Sequence, residues 1–93
     1  MFYYVYMLEN KEKDIYVGCT NDLRKRLQQH NRKENTSTKF GAPWNVIHYE
    51  AYRNIDDAKR RERYLKTSQG SRLLKRMLKE YFYSRISTTG YTR

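Results

Sequence analysis

Two short tyrosine triplets constrain this chain more than anything else in it. Tyr4-Val5-Tyr6 is followed ten residues on by Tyr16-Val17-Gly18, and Arg26 lies ten residues beyond Tyr16. Tyr4, Tyr6 and Leu8 alternate with Tyr3, Val5 and Met7. Both faces of that strand are apolar, as in a central strand covered on both sides. Residues 15–19 read as a second strand, and residues 10–14 as the turn between the two. Side chains alternate across a strand, so the spacing lets Tyr6 and Tyr16 point to one face of an antiparallel hairpin. Two phenols on one face are most simply packing. The rest of the chain gives them a second meaning.

Thr20, Asn21 or Asp22 can cap the next helix, which carries Leu23 and Leu27 on its core face. Arg26 and His30 stand one turn apart beside that face. Residues 31–43 form a polar, basic loop, and a loop of that length in a small domain is more often functional than idle. A third strand follows at 44–52, with Ile47, Tyr49 and Ala51 on one side and His48 read as structural or solvated. Asn54 caps a helix from 55 to about 67, and 68–71 reads as a turn. The last helix, about 72–82, repeats Leu73, Leu74, Met77, Leu78, Tyr81 and Phe82 at helical spacing. The expected class is α/β (α+β): a three-stranded antiparallel sheet flanked by about three helices. One domain is expected over residues 1–83, with a flexible tail at 84–93.

Ninety-three residues fit one domain with one small core. The single cysteine, Cys19, forbids an internal disulfide and fits a reducing compartment. No apolar run approaches a membrane span, and the apolar start lacks a basic segment and a cleavage site. A cytoplasmic location is expected. The formal charge is +10. Residues 59–81 hold nine basic side chains against two acidic ones, a net +7. A basic stretch on helices is the footprint of a polyanion binder, with a merely solvated face as the plain alternative. Nucleic acid is the favoured partner. A membrane surface is disfavoured, because the same helices have an apolar stripe suited to a protein core.

Glu62 is the odd residue of its helix. Ile55, Ala58 and Leu65 form the apolar stripe, and Glu62 occupies the missing place in it. A carboxylate aimed toward a core side must be paired, protonated or bound to a metal. It is therefore either a buried acid paired with a lysine or arginine of another element, or a hard-cation ligand completed by waters and a substrate phosphate. Zinc is disfavoured, since two His and one Cys without paired spacing fit none of its usual patterns.

Together these residues resemble the GIY-YIG nuclease superfamily, and within it the small stand-alone bacterial single-domain type. The resemblance is carried by Tyr4-Val5-Tyr6, Tyr16-Val17-Gly18, the run from Asn21 to Asn31, and Ala58-Lys59-Arg60-Arg61-Glu62. It covers residues 2 to about 82 and implies a three-stranded antiparallel sheet flanked by helices. It implies catalytic roles for Tyr6, Tyr16, Arg26 and His30, and a metal-binding role for Glu62. Tyr4 replaces the first Gly of the motif, and Cys19 stands where some relatives have a lysine. Leu74 stands where many relatives have an asparagine.

The implied chemistry is hydrolysis of DNA phosphodiester bonds with Mg²⁺ or Mn²⁺, in DNA repair, recombination or processing. Glu62 would hold the ion, and Arg26 would stabilise the equatorial phosphate oxygens. Tyr6 would orient or deprotonate the attacking water, with Tyr16 and His30 assisting; His30 is the alternative base. Lys39, Lys59, Arg63, Lys66 and Arg76 would hold the nucleic-acid backbone. The competing reading is a non-catalytic nucleic-acid-binding module that keeps the fold.

Overall fold

The computed structural model describes residues 1–87. Three strands, β1 (Tyr3–Glu9), β2 (Ile15–Thr20) and β3 (Asn45–Tyr52), form one antiparallel sheet in the order β2-β1-β3. The helices are α1 (Leu23–Asn31), α2 (Ile55–Leu65), α3 (Ser68–Met77) and α4 (Lys79–Ser87). The chain divides into two compact units, Met1–Arg63 and Tyr64–Arg93.

In the first unit, β1 is the central strand, and Val5, Met7 and Leu8 have no exposed surface. The turn closing the first hairpin is built by Asn10. Its Oδ1 accepts from the Asp14 N–H at 2.9 Å, and its carbonyl accepts from the Lys13 N–H at 3.0 Å. Lys13 itself takes a positive φ of 71°. Asp22 caps α1 by accepting from the Lys25 N–H at 3.1 Å. The register pairs Tyr6 with Gly18 and Leu8 with Tyr16, so both tyrosines fall on one face. That face holds a core of Tyr6, Leu8 and Trp44, against which Tyr16, Leu23, Leu27, Ala42 and Val46 pack.

The expected alternation of Ile47, Tyr49 and Ala51 fails at its first member. Met7 pairs with His48 but Leu8 pairs with Val46, so a bulge skips Ile47. Val46 replaces it on the tyrosine face. Such a bulge bends the strand and exchanges which residue faces in. It leaves no mark on a pattern in which both faces are partly apolar.

The opposite face carries Val5, Met7 and Glu50. Arg61 of α2 grips Glu50 with two parallel bonds, Nε to Oε1 at 2.9 Å and a terminal nitrogen to Oε2 at 3.0 Å. Tyr52 donates a third bond to Oε1 at 2.8 Å. Burial alone would raise the Glu50 pKa. The bonds from Arg61 and Tyr52, with the charges of Arg61 and His48, outweigh that and bring it below its ordinary 4.5. The unfolded chain then binds this proton more readily. The contribution is full above pH ~4.5 and drains away as pH falls through the lowered native value. Glu50→Gln is therefore expected to flatten the acid limb of thermal midpoint against pH. An acid limb unchanged in slope would show that other carboxylates set it.

The second unit begins at Tyr64. Thr67 caps α3, its Oγ1 accepting from the Gly70 N–H at 3.0 Å. A Cβ on Gly70 would sit 2.5 Å from the Leu65 Cα, so only glycine lets α3 fold back on the end of α2. Residues 68–71, expected as a turn, are thus the first turn of α3. The single last helix expected over 72–82 is two helices. Leu78 leaves helical geometry at φ −107°, ψ 26°, and its N–H closes onto the Leu74 carbonyl. The described residues thus hold four helices where about three were expected. α4 runs to Ser87, past Ser84, where the sequence pattern loses its periodicity. Residues 88–93 of the expected tail lie outside the described residues.

Candidate active site

The site grows from the tyrosine face of the sheet. Tyr6 projects from the central strand over the edge strand, directly above Gly18. A Cβ at Gly18 would lie 2.5 Å from the Tyr6 Cζ, so the glycine of the second triplet is the floor on which the Tyr6 ring rests. Tyr16 sits diagonally beside it with ring centroids 6.3 Å apart. α1 brings His30 onto both rings, at 5.8 Å from Tyr6 and 5.0 Å from Tyr16.

His30 has no exposed surface. Its Nε2 lies 2.8 Å from the Tyr6 hydroxyl and its Nδ1 lies 2.7 Å from Thr38 Oγ1. The result is a continuous chain, Tyr6–His30–Thr38. A buried imidazole with both nitrogens bonded is fixed in orientation, and its tautomer is set by the outer partner. Thr38 was not among the residues expected from the sequence. It lies in the polar loop, 2% exposed, and nothing in local spacing connects it to His30.

The electrostatics follow from burial. The Tyr6 phenol is pushed well above its ordinary value, first by desolvation and then by Tyr16. Arg26 opposes this, while Glu62 and Cys19 add to it. His30 is pushed below its ordinary 6.5, by burial first and by the Arg26 charge second. At neutral pH the pair is a neutral phenol bonded to a neutral imidazole. The charges of Arg26 on α1 and Glu62 on α2 both reach the Tyr6 phenol, the first lowering its pKa and the second raising it.

Glu62 is half-buried, its side chain 16% exposed, and is not sealed in the core. Lys59, one turn back on α2, approaches it at 3.8 Å. The acid gripped by an arginine of another element exists in this fold, but it is the equally half-buried Glu50. Ile55, expected on the apolar stripe with Glu62, is 44% exposed, whereas Ala58 is fully buried. Burial raises the Cys19 thiol, and Lys59, Glu62 and Arg26 act on it in turn. Two of these charges, Glu62 and Arg26, also act on Tyr6.

Could these residues hold a divalent ion? Among the described residues no group of three or more His, Cys, Asp or Glu forms a ready-made cage. A hard cation of the Mg²⁺ type needs no cage. It keeps most of its waters and binds through one or two carboxylates plus substrate phosphate. The single part-exposed carboxylate of Glu62 fits that mode.

The expected nucleic-acid contacts are dispersed. Lys39 is half-buried in the loop, one residue from Thr38. Lys59 and Arg63 are exposed on α2, while Lys66 and Arg76 are exposed in the second unit. Leu74, at the asparagine position of many relatives, is 4% exposed and belongs to the core of that unit. Among the described residues no helix is long and apolar enough to cross a membrane.

Residues 2–76 match the model of the GIY-YIG catalytic domain. A UPF0213 protein of Clostridium perfringens is 36% identical over 64 residues, covering 68% of this chain and 69% of the relative. A UPF0213 protein of Haloquadratum walsbyi is 30% identical over 67 residues, covering 71% and 75%. The solution NMR structure of a UPF0213 protein from Bacillus halodurans superposes with a TM-score of 0.54 at 26% identity. That match covers 99% of this chain and 100% of the other.

Proposed function

Because this chain belongs to the GIY-YIG family, a family of nucleases, we propose that it is an endonuclease hydrolysing DNA phosphodiester bonds with Mg²⁺ or Mn²⁺. The observation that carries this reading is the buried chain from Tyr6 through His30 to Thr38, with Arg26 and Glu62 acting on the same phenol.

The proton path follows from the pKa shifts. A phenol raised above its ordinary value cannot wait as phenolate at neutral pH. It can still act as a base by passing its own proton on as it takes one from water. His30 is neutral and can accept at Nε2 when its Nδ1–H donates to Thr38 Oγ1. Tyr6 is then the group that meets the attacking water, and His30 the relay behind it. Tyr16 packs against His30. Arg26 offers a forked donor to the equatorial oxygens, where charge builds as the bond breaks. Glu62 would hold the divalent ion, which when bound polarises the phosphate and neutralises charge on the leaving oxygen. Lys39, Lys59, Arg63, Lys66 and Arg76 would hold the backbone of the nucleic acid without reading its sequence.

One observation favours the binding-module reading: the family asparagine position is a buried leucine, Leu74, which has no ligand to offer. A single assay separates the two. The full chain is expected to nick or cut DNA in Mg²⁺ or Mn²⁺ and to stop in EDTA. Salt-sensitive DNA binding with no cleavage in either ion would leave the binding module standing and remove the nuclease.

A further inference from the structure

Phe40 is the most exposed large apolar side chain of the protein's described residues, at 92%. A single exposed hydrophobic residue is ordinary on a protein surface, but this one stands on a tightly anchored loop beside the candidate site. Two residues earlier, Thr38 is 2% exposed and bonded to His30. The Thr38 carbonyl accepts from the Trp44 indole N–H at 3.0 Å and from the Gly41 N–H at 3.0 Å. Asn31 clamps the far end, its Oδ1 accepting from the Trp44 N–H at 2.6 Å and its Nδ2 donating to the Trp44 carbonyl at 3.1 Å. A Cβ at Gly41 would come 2.5 Å from the Trp44 ring, so the chain lies against the indole immediately after Phe40. Backbone fixed on both sides holds the Phe40 ring in water.

The Lys39 ammonium lies 5.0 Å from the centroid of the ring. An aromatic ring held open on a rigid turn beside a lysine is suited to a base and its phosphate. Phosphate contacts alone would need only the lysine. A paired duplex hides its base faces in the stack and yields them to a phenyl ring only at an unstacking cost, so the exposed ring favours a base that is already unstacked. We propose that Phe40 is the stacking platform for an unpaired nucleobase beside the cleavage site, with Lys39 on the adjacent phosphate. The substrate class is then nucleic acid with a single-stranded element, such as a flap or an open end. This deepens the nuclease reading and rests on its choice of nucleic acid as ligand. Thr38 couples the two places: consecutive Cα atoms are ~3.8 Å apart, so the platform stands within ~8 Å of the residue that holds His30.

The test measures affinity in EDTA, where no turnover occurs, using the full chain and two labelled DNA probes. One is a closed duplex, and the other is the same duplex with a single-stranded flap. Loss of one stacked base corresponds to ~5- to 150-fold in affinity. Phe40→Ala is expected to weaken the flap probe by that factor and leave the closed duplex unchanged, and Phe40→Trp to restore flap binding. Equal losses on both probes, or none on either, would overturn the platform. So would a wild-type dimer in sedimentation that Phe40→Ala dissolves while flap affinity stays intact. A wild-type chain that binds neither probe would overturn both the platform and nucleic acid as ligand. A flap-selective loss in a chain that never cuts DNA would uphold the platform and remove only the nuclease.

Discussion

Glu62→Gln and Arg26→Ala are each expected to slow DNA cleavage by ~10²–10³-fold, the range typical of removing one group that stabilises transition-state charge. Neither should unfold the protein. Glu62 meets Lys59 in an i,i+3 pair on its own helix, and half-exposed pairs of that kind contribute at most ~1 kcal/mol. Affinity separates the two variants. Glu62→Gln removes a negative charge near the phosphate, so binding in EDTA should hold or tighten. Arg26→Ala removes a positive one, so binding should weaken modestly. Single-turnover cleavage, affinity and thermal midpoint measured on the same preparations test all three statements. Cleavage that survives both substitutions would trace to another nuclease in the preparation or to another site.

The sheet and the hairpin were legible in the sequence because they depend on local alternation. Tyr6 and Tyr16 reach one face through spacing alone, and the run Thr20, Asn21, Asp22 announces a helix start by residue type, with Asp22 the one that caps it. The tightest parts of the site were not legible, because they are pairings between distant residues. Thr38 is one polar residue in a polar loop until the fold lays it on His30. Arg61 and Glu50 read as ordinary surface charges until α2 crosses the sheet. The bulge at Ile47 exchanges faces without changing composition, since Val46 is as apolar as the residue it replaces. The split between α3 and α4 hides inside one continuous apolar period, because Leu78 stays half-buried while its backbone leaves the helix. Except at Leu78, where the backbone itself turns, the deciding contact joins two segments of the chain, and a one-dimensional pattern carries no trace of it.

Gly18→Ala tests that kind of contact directly. The added methyl would fall 2.5 Å from the Tyr6 Cζ and 2.9 Å from its Cε1, far inside van der Waals contact. Gly18 is in regular strand pairing with Tyr6, so neither backbone can retreat without breaking the β1–β2 ladder. The Tyr6 ring must therefore swing off its floor, and the 2.8 Å link from its hydroxyl to His30 goes with it. A reacting group misplaced by about 1 Å can cost ~10²-fold in rate, and cleavage should fall by at least that. Stability should fall as well, because Tyr6 is 2% exposed and has no empty space to enter. Coupling between the two sites identifies the cause. In a Tyr6→Ala background the floor is vacant, and adding Gly18→Ala should lower the thermal midpoint little further. Neighbours that share one clash are strongly non-additive, whereas independent defects add. Full additivity of the two substitutions would mean that Gly18 acts through the backbone of β2, and the Tyr6 phenol would need another explanation for its position.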